Sequence, residues 1–180
     1  MKILLFGVSN VGKTTIGKLL AEELCFEFYD LDAEVKMRTG MTIEEFVRSG
    51  TLEERDRKRG EIIKDIIERD GNLVFSVTPI SFTDSFRKEL ANRKDLILIE
   101  LYDTAYHIFQ RLFFSDENDN IYFDDKYKNE HKTHYLREIN EDLKYYGKIF
   151  SSLGTRRFNI NNDSPERSVQ RLIEEFALKS

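Results

Sequence analysis

Eight residues, Gly7 to Thr14, read GVSNVGKT and match G-x-x-x-x-G-K-[ST] at Gly7, Gly12, Lys13 and Thr14. These types at this spacing suit the gripping of an anion. Glycines let a backbone curl until successive N–H groups, here those of Asn10, Val11 and Gly12, point at one phosphate. A helix opening at this point adds its positive N-terminal end. Lys13 reaches outer phosphates, and Thr14 offers a hydroxyl to Mg²⁺. Two carboxylates follow, Asp30 and Asp32, flanking Leu31. One can orient Mg²⁺ through water, and the other can take a proton from an attacking hydroxyl. Asp32 also suits the N-cap of a helix running into AEVKM.

These groups need elements to hold them. Ile3–Phe6 is a short apolar run ended by Gly7, and reads as a buried strand. Thr14–Leu24 carries Ile16, Leu19, Leu20 and Leu24 at helical spacing. CFEFYD alternates and ends at Asp30 as a second strand. Glu61–Arg69 puts Ile62, Ile63, Ile66 and Ile67 on one helical face. Leu73–Val77 and Leu96–Leu101 read as strands, with a short helix over 83–92 between them and another running to Arg111–Leu112. Residues 115–134 are polar, mostly acidic and without a period, which predicts a mobile lid or loop. A helix from about His134 to Phe150, a short strand RFNI and a last helix complete the chain. That helix has Ser164 as N-cap and Pro165 at its first position, with Val169, Leu172, Ile173 and Phe176 facing the core. Strand–helix alternation predicts an α/β fold with a parallel sheet between helices. The ends of its strands share one crevice, so both aspartates fall near the glycine loop.

Composition narrows the function. The chain has 180 residues and a net charge of −5, which gives no general affinity for nucleic acid or anionic membrane. No run approaches the ~20 apolar residues of a membrane helix, and MKILLFG is too short for a signal peptide's apolar core. The one cysteine, Cys25, allows no internal disulfide and fits a cytoplasmic protein. Its place at the edge of an apolar run predicts a packing role. His107, His131 and His134 show no metal-binding pattern.

With these residues in view, the chain resembles the shikimate kinase family of small P-loop kinases. That family carries a glycine-rich grip followed by Thr-Thr, a D-x-D, a glycine with an S-I-x-E-I-F box, and G-E-x-x-F-R-x-x-E. Here stand Thr14–Thr15, Asp30-Leu31-Asp32, Gly40, MTIEEF (Met41–Phe46) and GTLEERDRK (Gly50–Lys58). The likeness covers residues 1–61 and resumes at NNDSPE near the C-terminus. It implies a three-layer P-loop kinase fold, a five-stranded parallel sheet flanked by helices, as one domain over 1–180 with a lid at approximately 113–135. It implies ATP and Mg²⁺, with Asp30 on the metal side with Thr14, and Asp32 with Lys13 at the reacting hydroxyl. It implies that Arg55 holds an acceptor carboxylate, for which the guanidinium fork is suited. Asn162, Ser164 and Pro165 would belong to the loop that holds the adenine, Arg111 falls where the family has a nucleotide-binding arginine at the lid's start, and a monomer is expected.

The likeness breaks on the acceptor side. Where the family has three glycines after its third strand, this chain has Thr78-Pro79-Ile80, so Thr78 and Pro79 would line the acceptor, and Pro79 has no N–H to give. Where the family has a second arginine in R-x-P-L-Y, DLKYY puts Asp142. No arginine lies between Ser115 and His134, leaving Lys126, Lys128, Lys132 or Arg137 as substitutes. The expected activity is transfer of phosphate from Mg²⁺-ATP to a small-molecule hydroxyl, shikimate kinase-like, with the acceptor left open. A nucleoside or nucleotide acceptor, with Arg55, Arg57 and Arg59 as phosphate holders, is a second reading, although helical spacing cannot aim all three at one point. Nucleotide binding without transfer is a third.

Overall fold

The computed structural model describes residues 1–91 and 93–178. The elements run β1 (Lys2–Phe6), α1 (Lys13–Leu24), β2 (Glu27–Asp30), α2 (Leu31–Thr39), α3 (Ile43–Arg48), α4 (Leu52–Glu68), β3 (Leu73–Ser76) and α5 (Arg87–Ala91). Then follow β4 (Leu96–Tyr102), α6 (Ala105–Gln110), β5 (Phe114–Ser115), β6 (Ile121–Tyr122), α7 (Asp125–Glu130), α8 (Lys132–Ser152), β7 (Arg156–Asn159) and α9 (Pro165–Phe176).

Five strands form one parallel sheet in the order β2-β3-β1-β4-β7. β1 is central, with Lys2 opposite both Leu73 and Leu96, and every residue of it is buried. Its alternate side chains serve two cores. Ile3 and Leu5 join Ile16 and Leu20 of α1 and Val169, Leu172, Ile173 and Phe176 of α9. Leu4 and Phe6 join Ile62, Ile63, Ile66 and Ile67 of α4 and Phe150 of α8. This is the helix–sheet–helix sandwich expected from strand–helix alternation. After β1 the chain crosses to the far edge, returns through β3, then leaves on the other side through β4. The crevice above β1 and β3 is therefore the switch point where such sheets take ligands.

Three elements differ from the sequence expectation. Helix α4 begins at Leu52, ten residues before the apolar face starts at Ile62, because Thr51 and Glu54 form a reciprocal capping box. α5 runs over Arg87–Ala91 rather than starting at 83, and Asn92, the last residue of the expected helix, lies outside the described residues. Residues 115–134 are not structureless: β5 and β6 pair as a hairpin and α7 follows. Apolar periodicity cannot reveal this segment, because side-chain caps build it. Asp116 accepts from the N–H groups of Asn118 and Asn120, and Asp124 caps α7 by accepting from Tyr127 N–H. Cys25 is exposed rather than packed, ending α1 in the left-handed conformation at φ 55°.

Candidate active site

The loop between β1 and α1 is shaped by its glycines. Gly7 sits at φ 146°, and a Cβ there would lie 2.5 Å from the carbonyl oxygen of Leu101. Gly12 caps α1 at φ 112°, and Asn10 is left-handed at φ 60°. Val11 buries its side chain in the core, and its N–H donates to the carbonyl of Val8 at 3.4 Å. Lys13 lies across the loop and donates to the carbonyls of Gly7 and Val8 at 2.9 and 2.8 Å. Burial lowers its pKa to about 8, opposed by the charges of Asp32 and Asp30. Thr14 and Thr15 are exposed on the first turn of α1.

Asp30, at the end of β2, faces this loop. Its Oδ2 accepts from the Thr14 hydroxyl at 2.7 Å, and its Oδ1 accepts from the N–H groups of Asp32 and Ala33. Asp30 rather than Asp32 is thus the N-cap of α2. The helix starts two residues earlier than AEVKM suggests, at Leu31, which is fully buried. Asp32 is freed from capping and points at the crevice. Burial pushes its carboxyl above the usual carboxylate range, with the Thr78 hydroxyl, Arg59 and Lys13 opposing and Asp30 reinforcing. A hydroxyl and a carboxylate at Thr14–Asp30 are hard oxygen donors of the kind Mg²⁺ takes. The described residues hold no group of three or more His, Cys, Asp or Glu that could hold a metal.

On the acceptor side, Thr78 is beside Asp32, Pro79 is partly exposed, and Ile80 turns into the core. The next two N–H groups, of Ser81 and Phe82, donate to Asp56, a fully buried carboxylate of α4. The three arginines of α4 part company. Arg55 donates to the carbonyls of Ser49 and Gly50 at 3.2 and 2.9 Å, with its Nε buried and unpartnered. Arg57 lines a separate groove with Phe82 and Asp84. Arg59 is buried over the Phe46 ring and pairs with Asp56 at 3.3 Å. The three do not converge, so a joint phosphate-holding role for them is corrected. Asp142 has no cation within ion-pair distance among the described residues, and burial with Glu138 and Glu141 nearby pushes its carboxyl up.

The lid hairpin reaches across the crevice. Asp119 accepts from the N–H of Ile43 with both oxygens, at 3.1 and 3.0 Å, and pairs with Lys36 at 3.2 Å. Beneath it lies a cleft of about 440 Å³ lined by Asp32, Lys36, Ile43, Val47, Phe113 and Ile121. Two proposed lid cations face elsewhere: Lys128 pairs with Asp125 and lies over Phe109, and Lys132 lies over Tyr106.

On the other side of the glycine loop, Arg111 donates to Asp103 Oδ2 at 2.7 Å, and Asn162 N–H donates to the same oxygen at 3.2 Å. Asp103 also holds His107 Nδ1 at 2.7 Å. Ser164 caps α9 by accepting from Arg167 N–H, with Pro165 at the first turn. The glycine loop, Lys13, Thr14, Asp30, Asp32 and Thr78 therefore come together at one end of the sheet. Arg111 and Asn162 are joined to each other through Asp103. Sequence reasoning overlooked Asp103 and Asp119. The first stands just past a strand in the shared crevice, a position that could have singled it out; the second carries no local signal.

A family profile described as shikimate kinase matches residues 9–177. The chain belongs to the shikimate kinase family. It is 30% identical over 176 residues to the shikimate kinase of Caldicellulosiruptor bescii, covering 95% of this chain and 92% of the relative. It is 28% identical over 159 residues to the bifunctional shikimate kinase/3-dehydroquinate synthase of Thermotoga maritima, covering 88% of this chain but 30% of that protein. The chain spans less than two thirds of the length of several curated relatives it matches. Among solved structures, shikimate kinase from Acinetobacter baumannii in complex with shikimate superposes with a TM-score of 0.70 at 25% identity, over 99% of this chain and 95% of that one. The resemblance read from the glycine loop and the D-x-D is borne out, and so is the five-stranded P-loop kinase fold.

Proposed function

We propose that this protein is a kinase that transfers the terminal phosphate of Mg²⁺-ATP to a hydroxyl of a small molecule of the shikimate class. The observation that carries this reading is the meeting of Lys13, Thr14–Asp30 and Asp32 at the switch point of the sheet. Family membership supports ATP as donor. The A. baumannii relative was solved in complex with shikimate, which makes shikimate the first acceptor to try.

In this reading Lys13 leaves the carbonyls of Gly7 and Val8 for the phosphates, and the loop N–H groups surround them. Thr14 and Asp30 would hold Mg²⁺, which when bound would supply charge neutralisation at the phosphate oxygens. Asp32 orients the acceptor hydroxyl and takes its proton. Thr78 and Pro79 form the wall behind the acceptor. Arg55, released from its own turn, offers a fork to a carboxylate. Arg111, Asn162, Ser164 and Pro165 bound the base. The protein works as a monomer in the cytoplasm, without nucleic acid or membrane partners. Among the described residues no helix is long and apolar enough to cross a membrane.

The test is ADP release, followed with and without shikimate, at saturating Mg²⁺-ATP. Shikimate-dependent ADP formation that disappears in Lys13→Ala supports the reading. ATP binding without ADP formation from shikimate or from other small polyols would overturn it.

A further inference from the structure

Among the buried polar atoms on the acceptor side that have no hydrogen-bond partner are Asp32 Oδ1 and Arg59 Nε. They belong to neighbouring groups. Arg59 Nη2 lies 4.0 Å from Asp32 Oδ1, while Nη1 lies 3.3 Å from Asp56 Oδ1. The Asp32 side chain is 37% exposed and that of Arg59 is 7% exposed. Asp32 therefore turns one oxygen inward, toward the guanidinium, and leaves the rest of its carboxylate to the crevice. The plane of Arg59 is fixed from a third side by Phe46, whose ring centroid is 5.2 Å from the guanidinium carbon.

Burying a guanidinium this deeply is costly, and one carboxylate would balance it. Asp56 is that carboxylate, and it already receives the N–H groups of Ser81 and Phe82. Arg59 nonetheless turns its second nitrogen toward the inward oxygen of Asp32. One side chain thus joins α2, α3 and α4 to the segment that closes the crevice after β3. A cation placed behind Asp32 does two things. It draws the carboxylate back against the crevice wall, so that its outward oxygen is held at one depth. It also sets that depth relative to Ser81–Phe82, because the same guanidinium grips the carboxylate that holds their N–H groups.

We propose that Arg59 is a positioning residue for the phosphate acceptor: it fixes Asp32 from behind and ties it, through Asp56, to the wall at Ser81–Phe82. This rests on the kinase reading above. It does not make Arg59 a ligand of the acceptor, since its Nε is sealed from solvent. It accounts for a helix α4 that begins at Leu52, well before its apolar face. The extra turns carry Asp56 and Arg59 to the crevice.

Arg59→Met alone would strand Asp56 as an unpaired buried charge, so the test uses Asp56→Asn together with Arg59→Met. Asparagine keeps an oxygen for the N–H groups of Ser81 and Phe82 without needing a counter-ion. Turnover is expressed per ATP-binding site titrated by calorimetry, so that a partly unfolded sample still answers. The expected result is a fall in kcat of about 10- to 100-fold, the scale of misplacing a reacting group by about an ångström. The KM for ATP should stay within about two-fold. Asp56→Asn with Arg59→Lys, which returns a cation behind Asp32, should recover at least half of that loss on a logarithmic scale. Wild-type kcat in the double variant Asp56→Asn, Arg59→Met would show that Arg59 serves Asp56 alone and would overturn the proposal. So would an Arg59→Lys substitution that recovers nothing. A wild-type protein that transfers no phosphate sinks the kinase reading itself, and the proposal with it.

Discussion

The hydroxyl of Thr14 donates to Asp30 across 2.7 Å, joining the first turn of α1 to the N-cap of α2. Asp30 therefore does two jobs. One oxygen caps a helix, and the other stands at the mouth of the glycine loop beside a hydroxyl suited to Mg²⁺. The jobs can be separated. Asp30→Asn keeps an oxygen for the cap, so its Tm should stay close to wild type, whereas Asp30→Ala should lose about 1 kcal/mol of stability. Both should need more Mg²⁺ for half-maximal turnover, because the charge is gone in each. Equal Mg²⁺ requirements in wild type and Asp30→Asn would remove Asp30 from the metal side.

Asp103 gives a pH signature. Burial pushes its carboxyl up, but donors from Arg111, His107, Thr104 N–H and Asn162 N–H outweigh this and hold it below the usual carboxylate range. A carboxylate with a depressed folded pKa stabilises the fold above its unfolded value of about 3.9, and that stability is lost as pH falls through the folded pKa. Asp103→Asn should be less stable than wild type at pH 7, by about 2–3 kcal/mol, since Arg111 loses its charge partner in a buried setting. The gap should narrow below about pH 4, where wild type loses the same charge. Urea melts at pH 7 and pH 3 measure it. ATP affinity should fall as well, because Arg111 and the Asn162 loop are no longer tied. A stability gap that is constant across pH would mean that the charge of Asp103 is unimportant.

Much of this was legible in the chain itself. The glycine loop announced its own geometry, since Gly7 and Gly12 occupy backbone conformations where a side chain is strained. The apolar periods of α1, α4 and α9 marked the two faces of the sheet. What escaped was long-range polar pairing. Nothing near Asp119 in sequence says that it will meet Ile43, 76 residues away. Nothing near Arg59 says that it will be buried, because the charged run EERDRKRGE looks solvated until the segment after β3 folds over Asp56. The cap of α2 fell to Asp30 rather than Asp32 because a cap is settled by which residue the strand ends on, and local pattern fixes that only to within a residue or two.

The lid hairpin offers a third prediction. Asp119 is its link to α3 and to Lys36. Asp119→Ala leaves the first N–H of α3 without its acceptor, a loss of about 1 kcal/mol by analogy with side-chain caps. Hydrogen exchange should quicken at Ile43 and through residues 114–122, with β1 and β3 unchanged. Unchanged exchange at Ile43 would show that the hairpin does not hold that contact in solution.

Asp142 supplies the last prediction. It lies one turn before Tyr146 on α8, and Tyr146 has the Ser81 hydroxyl beside it, so the carboxylate stands one helical turn from a side chain that touches the segment after β3. No cation answers its charge among the described residues, and Glu138 and Glu141 add to it. An acceptor that carries a carboxylate feels this as repulsion. At a partly solvated separation of several ångströms the effect is about 1 kcal/mol, or roughly five-fold in KM. Asp142→Asn should therefore lower the KM for shikimate about five-fold and leave the KM for ATP unchanged. For a neutral polyol acceptor the same substitution should change little. A KM for shikimate that rises in Asp142→Asn would reverse the assignment. Asp142 would then be a direct contact to acceptor hydroxyls, and Arg55 alone would carry the carboxylate.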